Sequence, residues 1–327
     1  MSDVRSTTRP GTRRSFALRG EFHATIRTPD LGLVERWFAR VFGRPSVRLD
    51  ALIGPSPDVL NSWGHSTQTV VADLLISSLD PQAYIRDGMQ CYPVADRPRL
   101  GGFGWYVDGI EDLHSLVRDL GYPVVDERGA PVDGDEPPVV GRSGGERIPM
   151  FWLEPEVAGL RYQFVPAMRF AFDARADPGW RPFSAADDPL GIVRCSHQTV
   201  LTVEPKRAVR LFCDVLGGTV IHEGRDEVRG WDGVFVQLAD AVYEFATPDK
   251  GTAAAADLPP GMPRDTHHAV TFQVRDLDRV ARHLTRRGVR LRTRTEHCLV
   301  TEPSTSIGVP WGFVAEPVPG DRRRRAD

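Results

Sequence analysis

The chain has 327 residues, of which 41% are hydrophobic and 26% charged, with a formal net charge of −3 and four cysteines. That length suffices for about two domains with full cores, and the small net charge argues against a general attraction to nucleic acid or to an anionic membrane surface. Cys91, Cys195, Cys213 and Cys298 are scattered without a CxxC pair, which argues against a structural zinc site and a disulfide framework, and no apolar run approaches the roughly 20 residues of a membrane span.

Residues 1–20 contain basic residues but no apolar core, so they read as a disordered leader rather than a secretory signal. A cytoplasmic location follows by default. From His23, "HATIRT" alternates like a strand and "DLGLVERWFARVFG" spaces apolar residues like a helix. From Gly104, "GWYVDGIEDLHSLVRDLG" repeats strand then helix. "PVDGDEPPVVGRSGGERIP" is a Gly/Pro/acidic insertion that reads as a surface loop, with a lid as the weaker reading. The stretch 169–190, rich in Asp, Pro and Ala, reads as a linker. The pattern then resumes, from His197 with "HQTVLTVEPKRAVRLFCDVLGG" and from His267 with "HHAVTFQVRDLDRVARHLTRRG". Residues 320–327 form a basic tail, expected to be solvated.

Self-similarity at this scale decides architecture. Asp30 and Gly43 stand at the same offsets from His23 as Glu204 and Gly217 do from His197. Each predicted helix ends in Gly, a residue that tolerates the left-handed backbone of a helix terminus. The unit is a strand, a helix and about three further strands, the later ones including "GVFVQLA", "AVYEFAT", "GLRYQFVPA" and "GVPWGFVAEP". The expected fold is therefore α+β, with four βαβββ modules in two pairs, 21–168 and 191–319.

On these residues, above all "AVRLFCDVLGG" and "HHAVTFQVRDLDRVARHL", the chain resembles the vicinal oxygen chelate superfamily, which includes glyoxalase I, methylmalonyl-CoA epimerase, extradiol dioxygenases and antibiotic-resistance proteins. The resemblance implies that each module pair closes into a half-barrel cup. It also implies a divalent metal in the cup, held by His on first strands and Glu or Gln on last strands. His197 and Glu244 stand at such positions in the third module. In the fourth, counting back from Asp276 gives Ala269; His268 is one residue out of register and His267 two, so a β-bulge would be needed to bring His268 round. Aligning the last strands sets Gln163 opposite Gly312, which has no side chain to ligate. Glu316, four residues on, is the remaining candidate. His297 followed by Pro310, Gly312 and Glu316 resembles an extradiol dioxygenase motif, although Ser306 stands where that motif has Tyr.

The expected metal set is thus His197, His268, Glu244 and Glu316, with His297 and Glu244 as candidate acid/base groups. Fe(II) or Mn(II) is favoured, and Zn, Ni or Co are alternatives. The first pair, with His23, Gly102, Asp73 and Gln163, is expected to support the second. Trp231, Tyr243 and Trp311 are candidate lining residues, and Trp37, Phe38 and Phe212 candidate core. His65, His114, His222 and His283 are expected in solvent, and the Arg-rich stretch 286–297 is the best anion-binding candidate. The resemblance implies a dioxygenase-like enzyme for a small oxygenated substrate, catechol-like or α-oxo/hydroxy. The alternatives are a glyoxalase- or epimerase-type lyase or isomerase, and a metal-free small-molecule-binding protein. A homodimer is compatible with open half-barrel edges. No nucleic acid or membrane partner is expected.

Overall fold

The computed structural model describes residues 15–53, 63–86, 88–143, 146–183, 187–258 and 265–323. Among the described residues, sixteen of the strands make two eight-stranded sheets. The N-terminal one comprises Ala17–Arg27 (β1), Ser46–Arg48 (β2), Ser66–Val71 (β3), Leu74–Leu79 (β4), Arg99–Asp108 (β5), Val124–Val125 (β6), Phe151–Leu153 (β7) and Gln163–Pro166 (β8). The C-terminal one comprises Ile192–Leu201 (β9), Thr219–Asp226 (β10), Trp231–Leu238 (β11), Ala241–Pro248 (β12), Thr266–Val274 (β13), Leu291–Arg294 (β14), Cys298–Thr301 (β15) and Trp311–Val314 (β16). Their orders are β2-β3-β4-β1-β5-β8-β7-β6 and β10-β11-β12-β9-β13-β16-β15-β14. The second repeats the first strand for strand, as the four-module α+β reading requires. Among the described residues no helix is long and apolar enough to cross a membrane.

Each module's helix follows its first strand: Leu31–Trp37 (α1), Ile110–Asp119 (α2), Pro205–Val209 (α3) and Leu277–Arg286 (α4). Asp30 and Asp276 cap α1 and α4 by accepting from the backbone N–H of Leu33 and Arg279, which satisfies donors that the first turn leaves unpaired. Glu204 caps nothing with its side chain. The first- and third-module helices continue into wider π-helical turns at Phe38–Phe42 and Arg210–Val215. The glycines after all four helices, Gly43, Gly121, Gly217 and Gly288, have positive φ. Leading strands also share a defect: β1 and β9 are bulged between Glu21 and His23 and between Cys195 and His197.

The modules pair 1 with 2 and 3 with 4 in the sheets, but 1 with 4 and 2 with 3 in the cores. One core sets Trp37, Phe38 and Phe42 of the first module against Phe272, Trp311 and Phe313 of the fourth. The other sets Phe103, Trp105 and Val117 of the second against Phe212, Tyr243 and Phe245 of the third. The indoles of Trp37 and Trp311 stack with centroids 5.3 Å apart, and Trp105 Nε1 donates to Tyr243 Oη at 2.9 Å. Arg44 and Asp188 form a fully buried ion pair at the same seam. The expected core positions of Trp37, Phe38 and Phe212 are therefore occupied as core, and so are Tyr243 and Trp311, which leaves only Trp231 of the three candidate lining aromatics.

Several local expectations are revised. Strand β1 begins at Ala17, inside the stretch expected as leader; residues 1–14 lie outside the described residues. The linker packs closely: Phe170 and Phe172 join Phe22, Tyr106 and Met150 over the N-terminal sheet, and Arg175 donates to the carbonyls of Glu21, Phe22 and Asp73. The Pro131–Pro149 insertion contains a hairpin of Val139–Ser143 and Glu146–Pro149. The tail is docked as far as Arg323, which donates to the carbonyls of Cys195 and Ser196; residues 324–327 lie outside the described residues. His65, His114 and His283 are buried rather than solvated. His65 stacks on Tyr84, His114 lies edge-on to Phe151, and His283 Nε2 sits 2.9 Å from the carbonyl of Val41 across the seam between the halves.

Candidate functional site

The concave face of the C-terminal sheet is built on a local two-fold. Strands β9 and β13 run antiparallel, with His197 opposite Thr271 and Thr199 opposite Ala269. β12 runs parallel to β9 with Glu244 beside Thr199, and β16 runs parallel to β13 with Gly312 beside Thr271. The two-fold therefore equates His197 with Ala269, Thr199 with Thr271, and Glu244 with Gly312. Strand alternation sends these side chains to one face and sends Gln198, Tyr243 and Trp311 to the other.

Glu244 is 1% exposed, and a carboxylate so placed needs partners. It has them. Thr199 Oγ1 donates to Oε2 at 2.7 Å and Trp231 Nε1 to Oε1 at 2.9 Å. Arg229 Nη1 lies 3.9 Å from Oε2, its guanidinium over the Trp231 ring and also bonded to Asp226. Gly233 on the adjacent strand makes room, since a Cβ there would meet Glu244 Oε1 at 2.8 Å. His197, 4% exposed, sits with Nε2 3.7 Å from Glu244 Oε2 and Nδ1 3.1 Å from Ser196 Oγ. Burial, helped by Arg229 and Arg323, pushes its pKa well below the usual imidazole value, so the ring is neutral. Nε2 is buried and without a hydrogen-bond partner among the described residues.

A cavity of about 450 Å³ opens over this face, within the range of small-molecule sites. Its wall includes Trp231, Arg229, His268, Thr271, Arg292 and Gly312. The register between β9 and β13 slips between Ala269 and His267. This bulge turns His268 toward the cavity, where it stands edge-on to Trp231 at 6.0 Å with Nδ1 3.5 Å from Asp257. His267 faces the core against Phe103. Burial holds both imidazoles near pKa 3.

The expected four-ligand set is not assembled. Among the described residues no three His, Cys, Asp or Glu side chains converge as a metal cluster. His197 and Glu244 are adjacent; His268 lies farther up the wall, beside Trp231 and Asp257. Glu316 is exposed because β16 ends at Val314 and the chain turns away before reaching it. His297 occupies the turn between β14 and β15, its side chain 80% exposed and beside Glu296, away from the residues that line this cavity. Ala269 and Gly312 fill the remaining two positions without a donor atom, and both Glu244 oxygens already accept hydrogen bonds. The residues present do not fit a chelated divalent ion of the expected kind. Of the Arg-rich stretch, Arg292 and Thr293 line the cavity, with Arg292 bridged to Glu302.

In the N-terminal sheet the equivalent positions are His23, Ser77, Gly102 and Gln163. Asp73 is not among them; it sits in the β3–β4 turn and accepts from the backbone N–H of Cys195 at 2.6 Å. His23, pushed down to about pKa 4 mainly by burial, lies beside Thr25, and Gln163 Nε2 contacts Met150 Sδ. The residues that sequence reasoning missed are Thr199, Thr271 and Arg229. The threonines had a signal, for Thr25, Thr199 and Thr271 all stand two residues after the first-strand ligand position. Arg229 lies in an irregular turn and had none.

Residues 197–298 match the model of the glyoxalase/bleomycin resistance protein/dioxygenase superfamily. No curated protein matches the chain. Among solved structures, 4-hydroxymandelate synthase from Streptomyces coelicolor (a triple mutant) is similar at 14% identity, covering 93% of this chain and 95% of that one, with a TM-score of 0.59. The 2,3-dioxygenase LapB from Pseudomonas sp. KL28 is similar at 13% identity, covering 96% and 97%, with a TM-score of 0.58. The Mn(II)-bound glyoxalase from Novosphingobium aromaticivorans is similar at 16% identity, covering 94% and 86%, with a TM-score of 0.56. At such identities these likenesses establish the fold, and activity does not follow from fold. The superfamily model thus covers residues 197–298, within the C-terminal pair of modules, and the duplicated half-barrel fold of the whole chain is the one these structures share.

Proposed function

We propose that this protein binds a small organic molecule in the C-terminal cup through its own side-chain donors, without a resident metal ion. The observation that carries the reading is the composition of the four strand positions: His197 and Glu244 on one side of the two-fold, Ala269 and Gly312 on the other. Two protein ligands, one of them already hydrogen-bonded through both oxygens, hold a divalent ion weakly compared with the three or four of an established site. Arg229 brings a fixed positive charge close to Glu244, so the carboxylate needs no metal to be stable where it is. The cavity supplies the apolar wall and the few directed polar groups of a ligand site.

One observation favours a second reading, a metal-dependent enzyme. His197 Nε2 is buried, neutral and unpartnered, 3.7 Å from Glu244 Oε2, which is a pair of donors that an ion could bridge if substrate completed its shell. The features that favoured ring cleavage in particular, His297 and Glu316, are outside the cup.

The experiment is elemental analysis of anaerobically purified protein, before and after reconstitution with Fe(II), Mn(II) or Zn(II), beside a His197→Ala variant. Substoichiometric metal in both proteins is the expected result. About one ion per chain, lost in the variant, overturns the proposal and makes oxygen uptake with catechols the next assay.

A further inference from the structure

Resting on the reading of the C-terminal cup as a small-molecule site, we infer that its ligand carries a carboxylate, which docks against Thr271 over Gly312 as the mirror image of Glu244 against Thr199. The two-fold makes Thr199 and Thr271 equivalent, and Glu244 and Gly312 equivalent. Thr199 Oγ1 gives its hydrogen bond to Glu244 at 2.7 Å. Thr271, 1% exposed and on the cavity wall, has a buried hydroxyl with no partner among the described residues. A buried unsatisfied hydroxyl is costly, so a donor kept in this state marks a place for an acceptor that comes from outside.

Residue 312 cannot supply that acceptor. A Cβ built on Gly312 falls inside the van der Waals shell of Thr271 Oγ1, with Thr271 Cβ and Cγ2 both at 3.0 Å. With Thr271 placed as it is, a side chain at 312 has no room, whereas Thr199 stands clear of Glu244, and the space in which a carboxylate would have stood is given to the cavity. The second unpartnered buried atom, His197 Nε2, belongs to the cross-strand neighbour of Thr271. The cavity wall carries one acid, Glu227, against two arginines, Arg229 and Arg292, and Arg229 beside Glu244 offsets the repulsion between that carboxylate and an incoming one. The apolar part of the wall includes Trp231, Ala253, Ala254, Val300 and Pro310, which suits a flat or branched apolar body. The ligand class is a small monocarboxylic acid with such a body.

The test is calorimetric titration of the full chain with benzoate and with benzamide, its uncharged near-isostere. It is done on the wild type, on Thr271→Val, which keeps shape and deletes the donor, and on Thr271→Ser, which keeps the donor. The expected result is benzoate binding at least tenfold tighter than benzamide in the wild type, the preference shrinking to about twofold in Thr271→Val and returning in Thr271→Ser, with melting temperatures alike. Equal affinities for the two compounds, or a preference that survives Thr271→Val, overturns the carboxylate assignment while leaving the cup as a ligand site. No heat with either compound overturns the assignment. If a wider set of uncharged aromatics also fails to bind, the reading of the cup as a binding site falls with it.

Discussion

His197 Nε2 stands 3.7 Å from Glu244 Oε2, both side chains buried, and no hydrogen bond joins them. The carboxylate is committed elsewhere, to Thr199 and Trp231, so Glu244 belongs to the structure of the cup before it belongs to any chemistry. Glu244→Ala strands two buried donors and removes the counter-charge of Arg229. It is expected to cost about 3 kcal/mol, whereas Glu244→Gln, which keeps an acceptor oxygen in place, should cost about 1 kcal/mol. Urea denaturation of the three proteins checks the order.

A second carboxyl, Glu21, lies in the seam between the halves, and Gln198 Nε2 donates to both of its oxygens. Burial, with help from Asp240, raises its pKa from the ordinary 4.5 to about 8, although Gln198 and Arg175 pull the other way. Between those two values the folded chain holds a proton that the unfolded chain releases. The stability linked to Glu21 is therefore fully present below 4.5 and is lost as pH rises to about 8. Glu21→Gln is expected to flatten this alkaline limb, and the amide can donate to Gln198 Oε1, which is buried without a partner. Denaturant midpoints collected across that pH range decide the matter.

The acid limb has the opposite sign. His267, packed edge-on to Phe103 at 5.0 Å, is lowered from 6.5 to about 3, first by burial. Below 6.5 the unfolded chain takes up a proton that the folded chain refuses, so stability is complete above 6.5 and falls as pH drops toward 3. His267→Phe should remove about 1.4 kcal/mol per pH unit of that slope, read from the same titration of midpoints.

Trp311 tests whether the two halves fold together. Its ring stacks on Trp37 of the first module and meets Phe38 and Phe42 edge-on. Trp311→Ala is expected to cost about 3–5 kcal/mol and to lower the unfolding midpoint of both halves in one transition. Two separate transitions would show that the shared core is weaker than its burial indicates.

The repeat made the architecture legible, because an apolar pattern that recurs four times fixes four similar units and the chain order fixes their pairing. Period-two reasoning also separated Tyr243 from Glu244, and counting back from Asp276 found Ala269. Faces failed where the period failed. The bulge below Ala269 sends His268 to the cavity and His267 to the core, and nothing in "HHAV" states where the extra residue is absorbed. Glu316 keeps the right parity only for as long as the strand continues, and the strand stops at Val314. His283 reads as a solvated helix residue because its partner, the carbonyl of Val41, is 242 positions away and comes from the cross-packing of first and fourth modules.

That cross-packing has a consequence for taking the protein apart. A gene encoding the second half alone would yield a slab whose outer side carries Phe212, Tyr243, Phe272, Trp311 and Phe313, all buried here against the other half. Such a fragment would shed that surface only by clumping or by clasping a sister fragment, so each half acts as the other's built-in chaperone.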